Sequence, residues 1–261
     1  MIRRFLTQAL INAKAEQGGL TITEFLIYRV GLSLTTLAMY VLIAQHVTGA
    51  QADLTFWVIG NAFALCVFEC IFGIGGTFDN ERYFGRLRSI IVSPTSRLTV
   101  IMYKGLSSII VAMITIIVSF VVGGFIFGVN FGDLNIAMFF LAILSAAFAC
   151  VGLGLLFAIF ALITDSIYML LNTLSVALMI FSGANFPVAQ LPLFAQWIAH
   201  VFPLFRSVQA ANMSMNGSFD LTFIHLIIGE FGLGVIFYII AVVLIKIIER
   251  VAIKNATLEV F

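Results

Sequence analysis

Charged side chains are scarce in this sequence. Of its 261 residues, 13 are Lys or Arg and 12 are Asp or Glu, which is 10% of the chain. Soluble domains carry about 25% charged residues, so the composition excludes a soluble enzyme domain, and we expect no nucleic-acid partner. Hydrophobic residues make up 62% of the chain, and runs of about 20 such residues are long enough to cross a bilayer as helices. The sequence therefore predicts an all-α membrane protein.

Cysteine and phosphate-binding motifs are equally sparse. The three cysteines, Cys66, Cys70 and Cys150, lie inside apolar runs, which indicates packing residues rather than metal ligands. No G-x-x-x-x-G-K-[ST] loop is present, because the glycine run that ends at Gly76 is followed by Thr77 and no lysine. We therefore predict no catalytic, cofactor-binding or metal-binding residues in this chain.

Six apolar segments predict six transmembrane helices in a single domain, residues 1–261. The predicted spans are Phe25–Ala44, Phe56–Gly76, Leu106–Phe127, Ile136–Ile163, Ile167–Asn185 and Phe223–Ile248. Residues 1–24 contain an amphipathic segment that predicts a helix lying in the membrane interface, although a frayed tail is the alternative. All of the 13 Lys and Arg residues except Arg206 lie on one side of this layout, so the positive-inside rule predicts a cell-membrane protein with both termini in the cytoplasm.

The segment between the fifth and sixth spans, residues 186–206, is apolar but contains Pro187, Pro192 and Pro203. Proline removes a backbone donor and clashes with the preceding turn, so a continuous helix cannot form there. About ten residues lie between the second and third of these prolines, and they rise about 15 Å, or half a bilayer. We therefore predict a re-entrant or surface-lying hairpin on the exterior side.

The cytoplasmic connection between the second and third spans, residues 77–97, has an unusual concentration of charge. Six of the charged residues of the chain lie in it: Asp79, Glu81, Arg82, Arg86, Arg88 and Arg97. A helical pattern with an apolar stripe that includes Leu87, ended by Pro94, predicts a short amphipathic helix. Such a helix suits docking to a soluble partner, and a solvated loop that merely follows the positive-inside rule is the alternative.

Two motifs in this layout resemble one known family. "NERYFGRLRSIIVSPTSRLTVIMYKG", residues 80–105, is similar to the coupling-helix segment of type-2 ABC transporter permeases, with Glu81, Arg82, Gly85 and Leu87 followed by Ser-Pro. "FSGANFPVAQLPLFAQWIAHVFPLF", residues 181–205, resembles the family pattern at the exterior end of the fifth span. One departure is Arg86, where the family often has threonine.

The resemblance implies the membrane half of an exporter that is powered by two separate ABC ATPase subunits, which would carry the ATP and Mg. The apolar character of the predicted spans, with few charges, favours a hydrophobic or amphipathic cargo such as a drug, natural product or peptide. The same resemblance implies that the ATPase docks on the coupling helix through Asp79, Glu81, Arg82, Gly85, Arg86, Leu87 and Arg88. A second permease, identical or homologous, is expected because one six-span chain gives too little wall for a pathway. Export of a polysaccharide or lipid-linked glycan is the alternative cargo.

The resemblance also implies that the second and fifth spans line the pathway. The candidate wall and gate residues are Asn61, Phe68, Asn172, Thr173, Phe181 and Phe186. Two intramembrane acids, Glu69 and Glu230, are functional candidates by default, and pairing of Glu69 with Arg29 and of Glu230 with Arg206 is the structural alternative. Because two acids make no relay chain, a gradient-driven secondary transporter is the less favoured function.

Overall fold

The computed structural model describes residues 22–48, 54–76, 83, 97–161, 164, 166–215, 217 and 219–254, and within these residues every regular element is helical. The charged loop at 77–97 and the amphipathic segment at 1–24 lie almost wholly outside the described residues, so the predicted coupling helix and interfacial helix stay predictions.

Eight α-helices follow one another along the described chain. They are α1 (Ile22–Thr48), α2 (Thr55–Gly75), α3 (Arg97–Phe127), α4 (Ile136–Phe160), α5 (Ile167–Phe181), α6 (Leu193–Val201), α7 (Phe205–Ser214) and α8 (Leu221–Lys254). A 3-10 turn, Val188–Gln190, lies between α5 and α6.

Four of these helices contain a stretch long and apolar enough to cross a membrane: Thr55–Gly75, Lys104–Phe127, Ile136–Phe160 and Leu221–Ile247. These stretches correspond to the second, third, fourth and sixth predicted spans. The first and fifth predicted spans correspond to shorter apolar helical segments, Leu34–Val47 and Ile167–Phe181. The predicted helices are therefore present, whereas the six-span layout stays a prediction.

The core of the bundle is built around α4, which packs most extensively against α8. Glycine allows this close approach, because a Cβ atom added at Gly152 would lie 3.0 Å from the carbonyl oxygen of Gly234 in α8. The N-terminus of α4 is capped by Asn135, whose side chain accepts a hydrogen bond of 3.2 Å from the Met138 amide. This bond satisfies one of the free N–H groups of the first turn.

A π-helical turn, Phe68–Phe72, interrupts α2 and was not predicted from the sequence. Such turns arise where one extra residue is accommodated in a helix, and they are frequent at functional sites. Gly154 of α4 lies against it, since a Cβ there would be 2.6 Å from the Cys70 carbonyl oxygen. The turn thus packs on the central helix and leaves Phe68 on the opposite, exposed side.

The helices of the described chain are short and interrupted between Phe181 and Phe205, whereas the predicted location of this hairpin on the exterior side stays a prediction. The α5 helix ends at Phe181, and the short α6 of nine residues follows Pro192 and ends two residues before Pro203. No helix was predicted at the position of α7, which is largely buried and packs on α4 and α8. Its polar positions, Arg206, Gln209 and Asn212, obscured the apolar pattern. We call α6, α7 and the 3-10 turn together the hairpin, and the end of the bundle that carries it the hairpin end.

Candidate translocation surface and hairpin anchor

The second and fifth spans, α2 and α5, are antiparallel neighbours. At the hairpin end, Trp57 Nε1 donates a hydrogen bond of 3.1 Å to the carbonyl oxygen of Asn185, and Gly60 lies against the backbone of Ala184. At the opposite end, a Cβ atom at Gly76 would lie 2.9 Å from the hydroxyl oxygen of Tyr168. The contact therefore extends over the full length of both helices.

The α5 helix presents two opposite stripes. Its buried stripe contacts the rest of the chain and includes Leu171, Leu174 and Leu178. Its other stripe is exposed at helical spacing, and we call it the α5 stripe: Met169, Asn172, Thr173, Val176 and Ile180. A helix with one covered face and one exposed face of equal length is typical of an element at the edge of a bundle.

Two polar side chains lie in the middle of the α5 stripe. Asn172 Nδ2 donates to the Tyr168 carbonyl at 2.8 Å, and Thr173 Oγ1 donates to the Met169 carbonyl at 2.9 Å. An exposed amide is costly against lipid, where polar groups need partners within protein or water. The stripe is therefore better suited to a protein interface or a wet pathway than to hydrocarbon.

Phe68 lies exposed on the π-turn of α2, with 40% of its surface accessible, and its ring stacks on Phe72 with centroids 5.8 Å apart. Phe68 is therefore an exposed aromatic side chain on α2, the helix next to α5. Asn61 is different: it is buried inside the chain, where its Nδ2 donates to the Trp57 carbonyl at 2.9 Å and its Oδ1 has no partner. In this single chain, Asn61 lines no open surface.

The predicted gate residues lie where α5 meets the hairpin. The ring of Phe181 stacks on Phe202 with centroids 5.6 Å apart and an interplanar angle of 15°. Phe181 also packs against a small cluster in the hairpin formed by Val188, Ala199 and Phe205. Phe186 is half-buried in the turn that follows α5. The C-terminal end of α5 is therefore packed against the hairpin through aromatic contacts.

Glu230 of α8 anchors the corner between α6 and α7. It is fully buried, and its Oε1 accepts a hydrogen bond of 2.6 Å from the backbone N–H of Leu204. Leu204 has φ +82°, a backbone conformation that costs an ordinary residue roughly 1–3 kcal/mol. The carboxyl group therefore stabilises a corner that the backbone alone would avoid.

The predicted pairing of Glu230 with Arg206 is confirmed as a contact. Arg206 Nη1 lies 3.9 Å from Glu230 Oε2, and Arg206 Nη2 donates a bond of 2.8 Å to the His200 carbonyl in α6. The guanidinium group thus joins the end of α6 to α8. A Cβ atom at Gly229 would lie 3.0 Å from Arg206 Cδ, so glycine there makes room for the side chain.

Glu69 lies within the π-turn and is also buried. The side chain of Arg29, its predicted partner, lies outside the described residues, and so do Asp79, Glu81, Arg82, Gly85, Arg86, Leu87 and Arg88. Their roles stay predictions. The three cysteines come together, with Cys66 Sγ 3.6 Å from Cys70 Sγ, but no cluster of metal-binding residues occurs in the part of the chain that the structure describes.

The long apolar helices and the helical hairpin define a helical membrane protein. The sequence model of the ABC-2 type transporter family matches residues 17–216, from the region before α1 to the end of α7. The chain therefore belongs to the ABC-2 type transporter family and is a type-2 ABC transporter permease. No curated protein matches it. Membership implies association with ABC ATPase partners, which agrees with the absence of a phosphate-binding loop from this sequence.

Proposed function

We propose that this chain is the membrane-spanning subunit of an ATP-driven exporter for a hydrophobic or amphipathic cargo such as a drug, natural product or peptide. The observation that carries the proposal is the α5 stripe, an exposed surface with two polar side chains in a membrane helix. A second permease, identical or homologous, would cover this stripe and leave a pathway between the two chains along α2 and α5.

The nature of the exposed surfaces supports the choice of cargo. Phe68, Met169 and Val176 are all exposed and apolar, and only Asn172 and Thr173 add polarity among the described residues of this surface. Binding sites for apolar small molecules combine such linings with a few polar groups that fix orientation. A polysaccharide or lipid-linked glycan is the alternative cargo, because sugars also pack on aromatic rings.

The proposed mechanism is rigid-body gating. Closure of two ATPase subunits on nucleotide would push on the predicted helix within residues 77–97, and α2 and α3, which flank that segment, would carry the movement to the hairpin end. The stack of Phe181 on Phe202 would then open or close the exterior side. Such a transition requires different contacts in the two states, and the aromatic stack is the contact that we expect to change.

The first test is the identity of the partners. The tagged permease is purified from its native membrane in mild detergent, and a P-loop ATPase in stoichiometric amount is expected by mass spectrometry. Benzoylphenylalanine at Val176 should form an adduct with a second permease, whereas the same group at Ile236, which is exposed on α8, serves as the control. Adducts with lipid alone at Val176 would contradict the proposed interface.

The second test concerns coupling. In proteoliposomes that contain the complete complex, Glu81→Arg should reduce ATP-dependent movement of a lipophilic dye at least tenfold because it places a cation where an acid is expected to meet the ATPase. Glu81→Asp is the matched control and should retain transport. Normal transport by Glu81→Arg would contradict the docking role, and transport that depends on an ion gradient without ATP would favour the secondary transporter.

A further inference from the structure

A cavity lies at the hairpin end, and we call it the hairpin cavity. Its volume is about 360 Å³, which falls within the range of about 300–1,000 Å³ that is typical of small-molecule sites. Phe56 at the start of α2, Gln209 and Asn212 of α7, and Thr222 and Leu226 of α8 contribute to its walls. No residue of the α5 stripe lines it, so the cavity is separate from the candidate translocation surface.

The lining of the hairpin cavity changes from apolar to polar between its floor and its rim. Val188, Phe205 and Val208 line the cavity and are buried, so they form its floor. Gln209 and Thr222 also line it but are exposed, so they lie at its rim. Such a lining suits an amphipathic molecule whose apolar part is buried and whose polar part stays near water.

The polar groups of the hairpin cavity are neutral. Asn212 Nδ2 donates a bond of 2.8 Å to the Val208 carbonyl, and Thr222 Oγ1 donates a bond of 2.9 Å to Asp220 Oδ2. The Asn212 amide oxygen and the Thr222 hydroxyl oxygen can therefore still accept hydrogen bonds from a ligand. Among the described residues no charged side chain lines the cavity. These groups favour an uncharged ligand that donates hydrogen bonds, such as one with hydroxyl groups.

The floor of the hairpin cavity is packed against a predicted gate residue. Val188 and Phe205 belong to the small cluster against which Phe181 packs. Gly183 makes the turn between them tight, because it has φ +73° and a Cβ atom there would lie 3.2 Å from Val188 Cγ2. A ligand in the cavity would therefore contact side chains that support the stack of Phe181 on Phe202.

We propose that the hairpin cavity binds one uncharged amphipathic molecule, with its apolar part on the floor and its hydroxyl groups at Gln209 and Asn212. Three features select this ligand: a cavity of small-molecule size, an apolar floor, and a rim of neutral hydrogen-bonding groups. The binding does not depend on the proposed function. The identity of the ligand as the cargo rests on that function, and it narrows the cargo to uncharged amphiphiles.

The test uses monodecanoylglycerol, an uncharged amphiphile with two hydroxyl groups, that carries a photoactivatable diazirine in its acyl chain. The purified complete complex is reconstituted in nanodiscs with this tracer, irradiated and digested, and labelled peptides are identified by mass spectrometry. Saturable labelling is expected within residues 182–189 and 205–213. Decanoylcholine, which has the same acyl chain and a cationic headgroup, should compete roughly tenfold more weakly than unlabelled monodecanoylglycerol, because no lining side chain balances its charge. Equal competition by both compounds, or labelling that does not saturate, would overturn the proposal.

Two pairs of variants locate the site. Ala189→Phe places a ring in the cavity from an exposed lining position and should abolish saturable labelling, whereas Gln190→Phe adds the same ring at the neighbouring exposed position, which does not line it. Gln209→Leu should weaken binding of the tracer about fivefold, the loss expected for one hydrogen bond. Gln190→Leu is its control and should bind the tracer as the unmodified complex does. Equal effects within either pair would refute the assignment.

Transport of the same tracer is measured separately, in proteoliposomes with and without ATP. Saturable labelling without ATP-dependent transport would support the site and contradict the role of this class of molecule as cargo. Transport without saturable labelling of the hairpin cavity would overturn the site and leave the proposed function in place.

Discussion

Replacement of Glu230 by alanine should loosen the hairpin from the bundle. Glu230 is the side chain that accepts the Leu204 N–H bond and lies 3.9 Å from Arg206. Alanine removes both contacts and leaves a buried donor next to a corner with positive φ. Glutamine keeps an oxygen that can accept from Leu204 but removes the acid, so the two variants separate the hydrogen bond from the charge.

The magnitude follows from the groups left without partners. A buried backbone N–H without an acceptor costs about 1–3 kcal/mol. Because the corner at Leu204 can relax once it is released, we expect about 2 kcal/mol for Glu230→Ala. Arg206 is 21% accessible, so water compensates in part for its lost contact. Glu230→Gln should cost about 1 kcal/mol, since amide and guanidinium donors then face each other.

Thermal unfolding in detergent, followed by tryptophan fluorescence, measures both variants. Trp57 and Trp197, which lie beside and within the hairpin, are the only two tryptophans of the sequence. A loss of 1 kcal/mol lowers the unfolding midpoint by roughly 2–4 °C for a chain of 150–250 residues. We expect a decrease of about 4–8 °C for alanine and about 2–4 °C for glutamine at one scan rate. Equal decreases, or none for alanine, would refute the anchoring role of the Leu204 bond.

Two further predictions concern close contacts in the bundle. Gly60→Ala should lower the unfolding midpoint by several degrees, because the added Cβ meets the backbone of Ala184 and overpacking costs about 1–3 kcal/mol. Gly232→Ala is the control and should not lower the midpoint, because Gly232 has open space around it. Ser145→Ala and Ser207→Ala should each lower the free energy of unfolding by about 1 kcal/mol, since each removes one of two buried hydroxyl groups that lie 2.9 Å apart. The double variant should lose less stability than the sum of the two single variants. Additive losses in the same unfolding assay would contradict a direct hydrogen bond.

Most helix positions could be predicted from local physics. Long apolar runs must form helices in a membrane because every backbone donor and acceptor has to be satisfied within the segment. The prolines at 187, 192 and 203 mark the hairpin for the same reason, because proline lacks the backbone N–H that a continuous helix needs. The π-turn at Phe68–Phe72 and the helix α7 were not predicted. Both depend on packing against α4, and such contacts cannot be predicted from a local pattern of residues.

The candidate sites divide in a similar way. Asn172 and Thr173 were candidate wall residues because the family resemblance implies that the fifth span lines the pathway, and the structure places them on an exposed stripe. Asn61 was chosen in the same way from the second span but is buried, since the position of a residue in a span does not determine which face of the helix meets its neighbours.

By itself, the sequence determined that this is a helical membrane protein, where its helices break, and the family to which it belongs. These properties follow from local hydrophobicity, proline and short motifs, which act over a few residues at a time. Only the tertiary structure decided which faces are covered and how Glu230 meets Leu204 and Arg206. Those outcomes depend on the packing of helices far apart in the chain, where glycines such as Gly152 and Gly60 set how closely two backbones approach.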